Sequence, residues 1–135
     1  MKVLVSGGGG LVGRYVVEAL LAGGYEVTVG GRASPAAGHF SRPVPFRVLS
    51  LDPDIDPIEA FDDTYLFVHA AFDHVTGKYR GGEGEDPARF RRLNLDGTVR
   101  LFDAARRAGV RRVVFLSSRA VYDGLALGVP LVETA

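Results

Sequence analysis

The sequence predicts a doubly wound α/β sheet, on three observations. Short apolar runs rich in β-branched residues alternate with segments of helical period, which implies parallel strands joined by right-handed crossovers. A glycine cluster, Gly7–Gly10, follows the first of those runs and opens the first helical segment. The chain has 135 residues with no internal repeat and no linker-like stretch, so residues 1–135 read as one domain.

Lys2–Ser6 is the first strand, apolar and β-branched, and it stops at the glycines. Leu11, Val12, Tyr15, Val16, Ala19 and Leu20 then recur at helical spacing, and Gly23-Gly24 ends that helix. Tyr25–Val29 is the second strand. The polar stretch from Gly30 to Pro45 reads as loop, with room for a short helical turn. Phe46–Leu49 is the third strand, Asp52–Asp63 is punctuated by Pro53 and Pro57, and Tyr65–His69 is the fourth strand. Thr76–Asp86, rich in glycine and charge and without periodicity, reads as a mobile surface loop. A helix is expected from Pro87 to about Ala108, with Phe90, Leu93, Gly97, Leu101, Ala104 and Ala108 on one face, and Gly109 closing it. Arg111–Ser117 is the fifth strand, and Arg119–Ala135 is loop-like. With the glycines after the first strand, the expected order is 3-2-1-4-5. The chain stops soon after the fifth strand, so the sheet is expected to be incomplete on its C-terminal side.

Composition narrows the function. Hydrophobic residues make up 47% of the chain, enough for a core. Lys+Arg and Asp+Glu are both 16, so no global positive field exists to hold nucleic acid or an anionic membrane. Cysteine is absent, which removes disulfides, thiolate metal sites and thiol catalysis together. No apolar run approaches a membrane span, and a soluble cytoplasmic protein is the expectation. No His, Asp and Glu cluster has metal-ligand spacing, so no metal site is expected. Arginines crowd the last helix, and they read as a solvated face whose aliphatic stems cover the core.

Gly7, Gly10 and Gly13 form G-x-x-G-x-x-G, and Gly8, Gly10 and Gly13 form G-x-G-x-x-G. A chain that reverses from strand to helix in a few residues, and brings a main-chain amide against a diphosphate, needs glycines there. The helix beginning near Leu11, Val12 and Gly13 aims its free N–H groups and positive dipole end at the anion. A dinucleotide is therefore the expected cofactor. No Gly-Lys-Ser/Thr follows, which excludes a P-loop. Where the second strand ends, a carboxylate would favour NAD by bonding the ribose hydroxyls. Here the residues are Val29-Gly30-Gly31-Arg32. No acid repels a 2′-phosphate and Arg32 can pair with one, so NADP is expected in preference to NAD.

Taken in order, these residues resemble the extended short-chain dehydrogenase/reductase family, the NAD(P)-dependent epimerase/dehydratase group, whose cofactor domain is Rossmann-like. Leu51-Asp52 resembles the segment whose acid contacts adenine in that family. Val68-His69-Ala70-Ala71 resembles its V-x-H-x-A-A segment along the cofactor, and Asn94-Leu-Asp-Gly-Thr98 its N-x-x-G-T helix segment. Phe115–Gly124 resembles its S-S-x-x-V-Y-G stretch, with Asp123 standing where glycine is usual. The resemblance implies that Ser118, four residues before Tyr122, holds the substrate oxygen. Asn94 is read either as tied to backbone or as a proton relay, and His69 as a packing residue beside the cofactor.

The family's proton-transfer residue is the tyrosine of Y-x-x-x-K, whose phenol must be acidified by the lysine. Four residues after Tyr15, Tyr25, Tyr65, Tyr79 and Tyr122 come Ala19, Val29, His69, Glu83 and Ala126, and no lysine follows Lys78. The ending Val129–Ala135 resembles the approach to the helix that carries the pair. The resemblance thus implies the cofactor-binding part of an epimerase, dehydratase or reductase acting on a hydroxyl- or keto-bearing small molecule such as a nucleotide-sugar, inactive alone. The other reading is a non-catalytic NADP-binding sensor or regulatory module. An uncovered fifth strand predicts a homo-oligomer.

Overall fold

The computed structural model describes residues 1–73 and 84–118, together with Gly128. The elements run β1 (Lys2–Ser6), α1 (Leu11–Ala22), β2 (Glu26–Gly31), β3 (Phe46–Val48), a 3₁₀ turn (Ile58–Phe61), β4 (Leu66–His69), α2 (Pro87–Arg91), a π-helical segment (Arg92–Asp96), α3 (Gly97–Arg107) and β5 (Arg112–Phe115). All strand pairs are parallel, in the order β3-β2-β1-β4-β5, the Rossmann-like arrangement expected from the alternation. Residues 76–83 of the expected mobile loop, and 119–127 and 129–135 of the expected C-terminal loop, lie outside the described residues.

Strand alternation builds two half-cores. Val3 and Val5 of β1 point one way with Val27, Val29 and Val68, and meet Val17 and Leu21 of α1. Leu4 points the other way with Phe67 and Leu49, and meets Phe61, Leu101, Ala104 and Ala105. The central strands are therefore apolar on both faces, as a covered parallel sheet requires.

Three details depart from the sequence reading. The buried positions of α1 are Gly13, Val17 and Leu21, whereas Leu11, Val12 and Tyr15 are exposed. The close seat of Gly13 on the first turn sets that face. The expected helix from Pro87 to Ala108 is interrupted by the π-helical segment, which shifts its phase: Thr98 and Ala105 are buried and Ala108 is exposed. The proline-punctuated stretch contains the 3₁₀ turn, whose Phe61 is fully buried edge-on to Phe67 at 4.8 Å.

Candidate functional site

The turn between β1 and α1 is shaped by close contacts that differ from glycine to glycine. Gly7 has φ +70, and a Cβ there would sit 2.7 Å from the Ala70 carbonyl carbon. A Cβ on Gly13 would sit 2.0 Å from the Gly7 carbonyl oxygen, and one on Gly8 2.9 Å from the Val29 side chain. Gly10 differs. Its nearest obstacle would be the Gly7 oxygen at 3.3 Å, so the folded chain itself comes close to tolerating a side chain there. Gly10 caps α1 without a side-chain hydrogen bond, and no acidic residue stands in the first turn. The positive dipole end of α1 therefore carries no carboxylate of its own first turn to oppose an anion.

In front of this turn lies a cleft of about 760 Å³ along the carboxyl ends of the strands. Its wall includes Gly7, Gly10, Leu11, Val12 and Gly13 from the first turn, Arg32 beyond β2, Leu51 and Asp52 beyond β3, and Ala70 and Ala71 beyond β4. Ten of the thirteen residues expected at the site are therefore brought together in one cavity. The sequence reading did not include Ser6, Phe72, Asp73, Arg89 and Leu93, which also line it. The helical period could have pointed to Arg89 and Leu93, which lie four residues apart in the expected helix.

His69, Asn94 and Ser118 are not part of that wall. His69 is fully buried between Phe67 and Phe115, whose rings stack on it at centroid distances of 5.6 and 5.7 Å. Its Nδ1 is 2.6 Å from Ser6 Oγ and its Nε2 is 2.8 Å from Thr98 Oγ1. The Ala70 and Ala71 N–H groups donate to Ser6 Oγ at 3.2 and 3.4 Å and use both its lone pairs, so the Ser6 hydroxyl is left to donate to Nδ1, and Nε2–H donates to Thr98. Burial lowers the imidazole pKa to about 4, so it is neutral. His69 therefore acts from behind the wall, fixing through Ser6 the Ala70 backbone that lines it.

Asn94 sits in the π-helical segment and is spent on main chain. The Asp73 N–H donates to its Oδ1 at 2.7 Å, and its Nδ2 donates to the carbonyls of Asp73 at 3.0 Å and Phe90 at 3.2 Å. That is the backbone-tied alternative, which clamps the loop after β4. The same segment and the first residue of α3 grip the loop after β3: Arg92 Nη2 donates to Asp52 Oδ1 at 3.0 Å, and a Cβ on Gly97 would lie 1.9 Å from the Leu51 oxygen. The Asp54 N–H, followed by Arg92, holds the Asp52 carboxyl below its ordinary pKa.

Arg32 is exposed and makes no hydrogen bond or ion pair with a described residue, whereas Arg89, which also lines the cleft, is paired with Asp73 at 3.1 Å. Ser118 is exposed three residues past β5. Tyr122 and Asp123, which framed its expected role, lie outside the described residues. Among the described residues no group of three or more His, Cys, Asp or Glu could hold a metal ion, and no helix is long and apolar enough to cross a membrane.

Comparison with known proteins agrees with this geometry. Residues 3–135 match the model of the NAD dependent epimerase/dehydratase family. A mouse UDP-glucose 4-epimerase is 32% identical over 90% of this chain, and one from Streptomyces lividans is 36% identical over 99% of it. The chain covers 38% and 40% of those two proteins, so it spans about two fifths of their length. The structure of a Thermus thermophilus UDP-glucose 4-epimerase in complex with NAD superposes with a TM-score of 0.80 at 34% identity. The superposition covers 99% of this chain and 43% of that one.

Proposed function

Because the chain belongs to the NAD dependent epimerase/dehydratase family, we propose that it is the cofactor-binding part of a longer epimerase, dehydratase or reductase, acting on a hydroxyl- or keto-bearing substrate such as a nucleotide-sugar. The observation that carries this reading is the bareness of Gly10. The fold's own need of glycine is weaker there than at Gly7, Gly8 or Gly13, whereas a diphosphate seated on the first turn of α1 requires it. When bound, the nicotinamide would supply hydride transfer. Gly7, Gly10, Leu11, Val12 and Gly13 would hold the diphosphate with main-chain N–H groups and the helix end. Ala70 and Ala71 would give the cofactor a wall without bulk. Leu51 and Asp52 would receive the base, and Ser118 would hold the substrate oxygen. The proton-transfer pair would come from the rest of the longer protein. The curated relatives are enzymes by name, which supports this reading over a sensor module.

For the cofactor we favour NADP over NAD. Arg32 is uncommitted among the described residues, stands on the cleft wall, and follows two glycines where an acid would oppose a 2′-phosphate. Calorimetric titration of this chain with NADPH and NADH tests both statements. NADPH is expected to bind about tenfold tighter, the worth of one charge-assisted hydrogen bond, and Arg32→Ala to abolish that preference. Equal affinities, or a preference that survives the substitution, would remove the NADP assignment. Failure of both nucleotides to bind would remove the function.

A further inference from the structure

We propose that Arg92 is a positioning residue for base recognition in the cleft, orienting Asp52 so that the dinucleotide is selected for an amino-bearing purine. This rests on the reading above that Leu51 and Asp52 receive the base.

Asp52 is a carboxylate on the cleft wall, held on three sides. Its own N–H donates to Ser50 Oγ at 3.0 Å, which fixes the main chain. Its Oδ1 accepts both the Asp54 N–H at 3.0 Å and Arg92 Nη2 at 3.0 Å. Among the described residues Oδ2 has no hydrogen-bond partner, although the side chain is only partly exposed. Arg92 is itself anchored by a second contact, to Asp54 Oδ2 at 2.5 Å. One guanidinium thus ties both acids of the loop to the π-helical segment, and the free oxygen is the one the clamp leaves over.

A carboxylate accepts hydrogen bonds and cannot donate them while ionised. An exocyclic amine is therefore welcome at Oδ2, and a carbonyl at the same ring position is repelled. Arg92 and the Asp54 N–H both keep Asp52 ionised, and by occupying Oδ1 they deny the carboxylate the free rotation that would blur the discrimination. Arg92 touches no part of the base in this scheme.

The test compares NADPH with its analogue carrying hypoxanthine in place of adenine, titrated into this chain and its variants. Wild type should prefer the adenine form, and Asp52→Asn should lose that preference. Arg92→Gln should narrow the preference about two- to fivefold, the range of a partly exposed ion pair, and leave affinity for the hypoxanthine form nearly unchanged. Arg92→Lys should restore part of it, and Asp54→Ala should narrow it in the same direction. An equal loss for both nucleotides in Arg92→Gln, or no loss for either, would overturn the role of Arg92 while leaving Asp52 in place. A preference unmoved by Asp52→Asn would instead overturn the base-contact reading, and the proposal with it.

Discussion

Three glycines of the first turn are spaced alike in sequence and differ in what they answer to. Gly13 meets the Gly7 oxygen at 2.0 Å, so Gly13→Ala must push α1 off the strand, costing roughly 2 kcal/mol or more. Gly10→Ala should cost under about 1 kcal/mol, the scale of a weakened N-cap, yet lose dinucleotide binding. Thermal melts set beside calorimetry would separate the two; a Gly10→Ala protein that still binds would contradict the reading of this turn. His69 makes a second prediction at this scale. Its folded pKa is about 4, below the ordinary 6.5, because the neutral ring is buried. As pH falls from 6.5 towards 4 the unfolded chain takes up a proton that the folded chain refuses. On the order of 3 kcal/mol of stability is then lost progressively, with no effect above that window. Urea unfolding of wild type and His69→Gln between pH 7.5 and 5 should show the steeper loss in wild type. Parallel curves would mean the imidazole is not the acid-sensitive group.

At the level of elements, the period of apolar residues was a good guide to where strands and helices lie, and a poor guide to local phase. All five strands were legible within one or two residues, because β-branched runs bounded by glycine and charge have few other homes. The π-helical segment was not legible. A single extra residue per turn is decided by partners remote in sequence, Asp73 against Asn94 and Leu51 against Gly97, which a local pattern does not contain. The 3₁₀ turn escaped for a related reason: Pro53 and Pro57 announce a loop, and only the fold reveals that Phe61 fills the space beside Phe67. The ten cleft residues were legible from motif order and His69 as a packing residue, whereas the two roles open to Asn94 were separated only by its hydrogen bonds to main chain. Gly97→Ala should therefore destabilise by about 2 kcal/mol and also weaken nucleotide binding, because the helix and the Leu51 loop cannot both stay in place. A melt and a titration on the same sample check it; unchanged affinity at lowered stability would show that the contact serves packing alone.

At the scale of the sheet, the described residues bury the central strands and leave the β5 side chains partly exposed. Among the described strands β5 pairs only with β4, and Val113, Val114 and Phe115 are 45%, 48% and 52% exposed. A parallel edge with apolar side chains on show recruits another chain. Sedimentation velocity should show self-association that grows with concentration, and Val114→Lys should reduce it. A single monomeric boundary at every concentration would contradict the expectation. The centre behaves otherwise, since its glycine turn divides two demands between different positions. Shape is guarded by the outer pair, and on the proposed function ligand capture falls to the middle one. A descendant could thus surrender its cofactor through one codon and keep its architecture, so kinship in form among such domains is no warrant of shared chemistry.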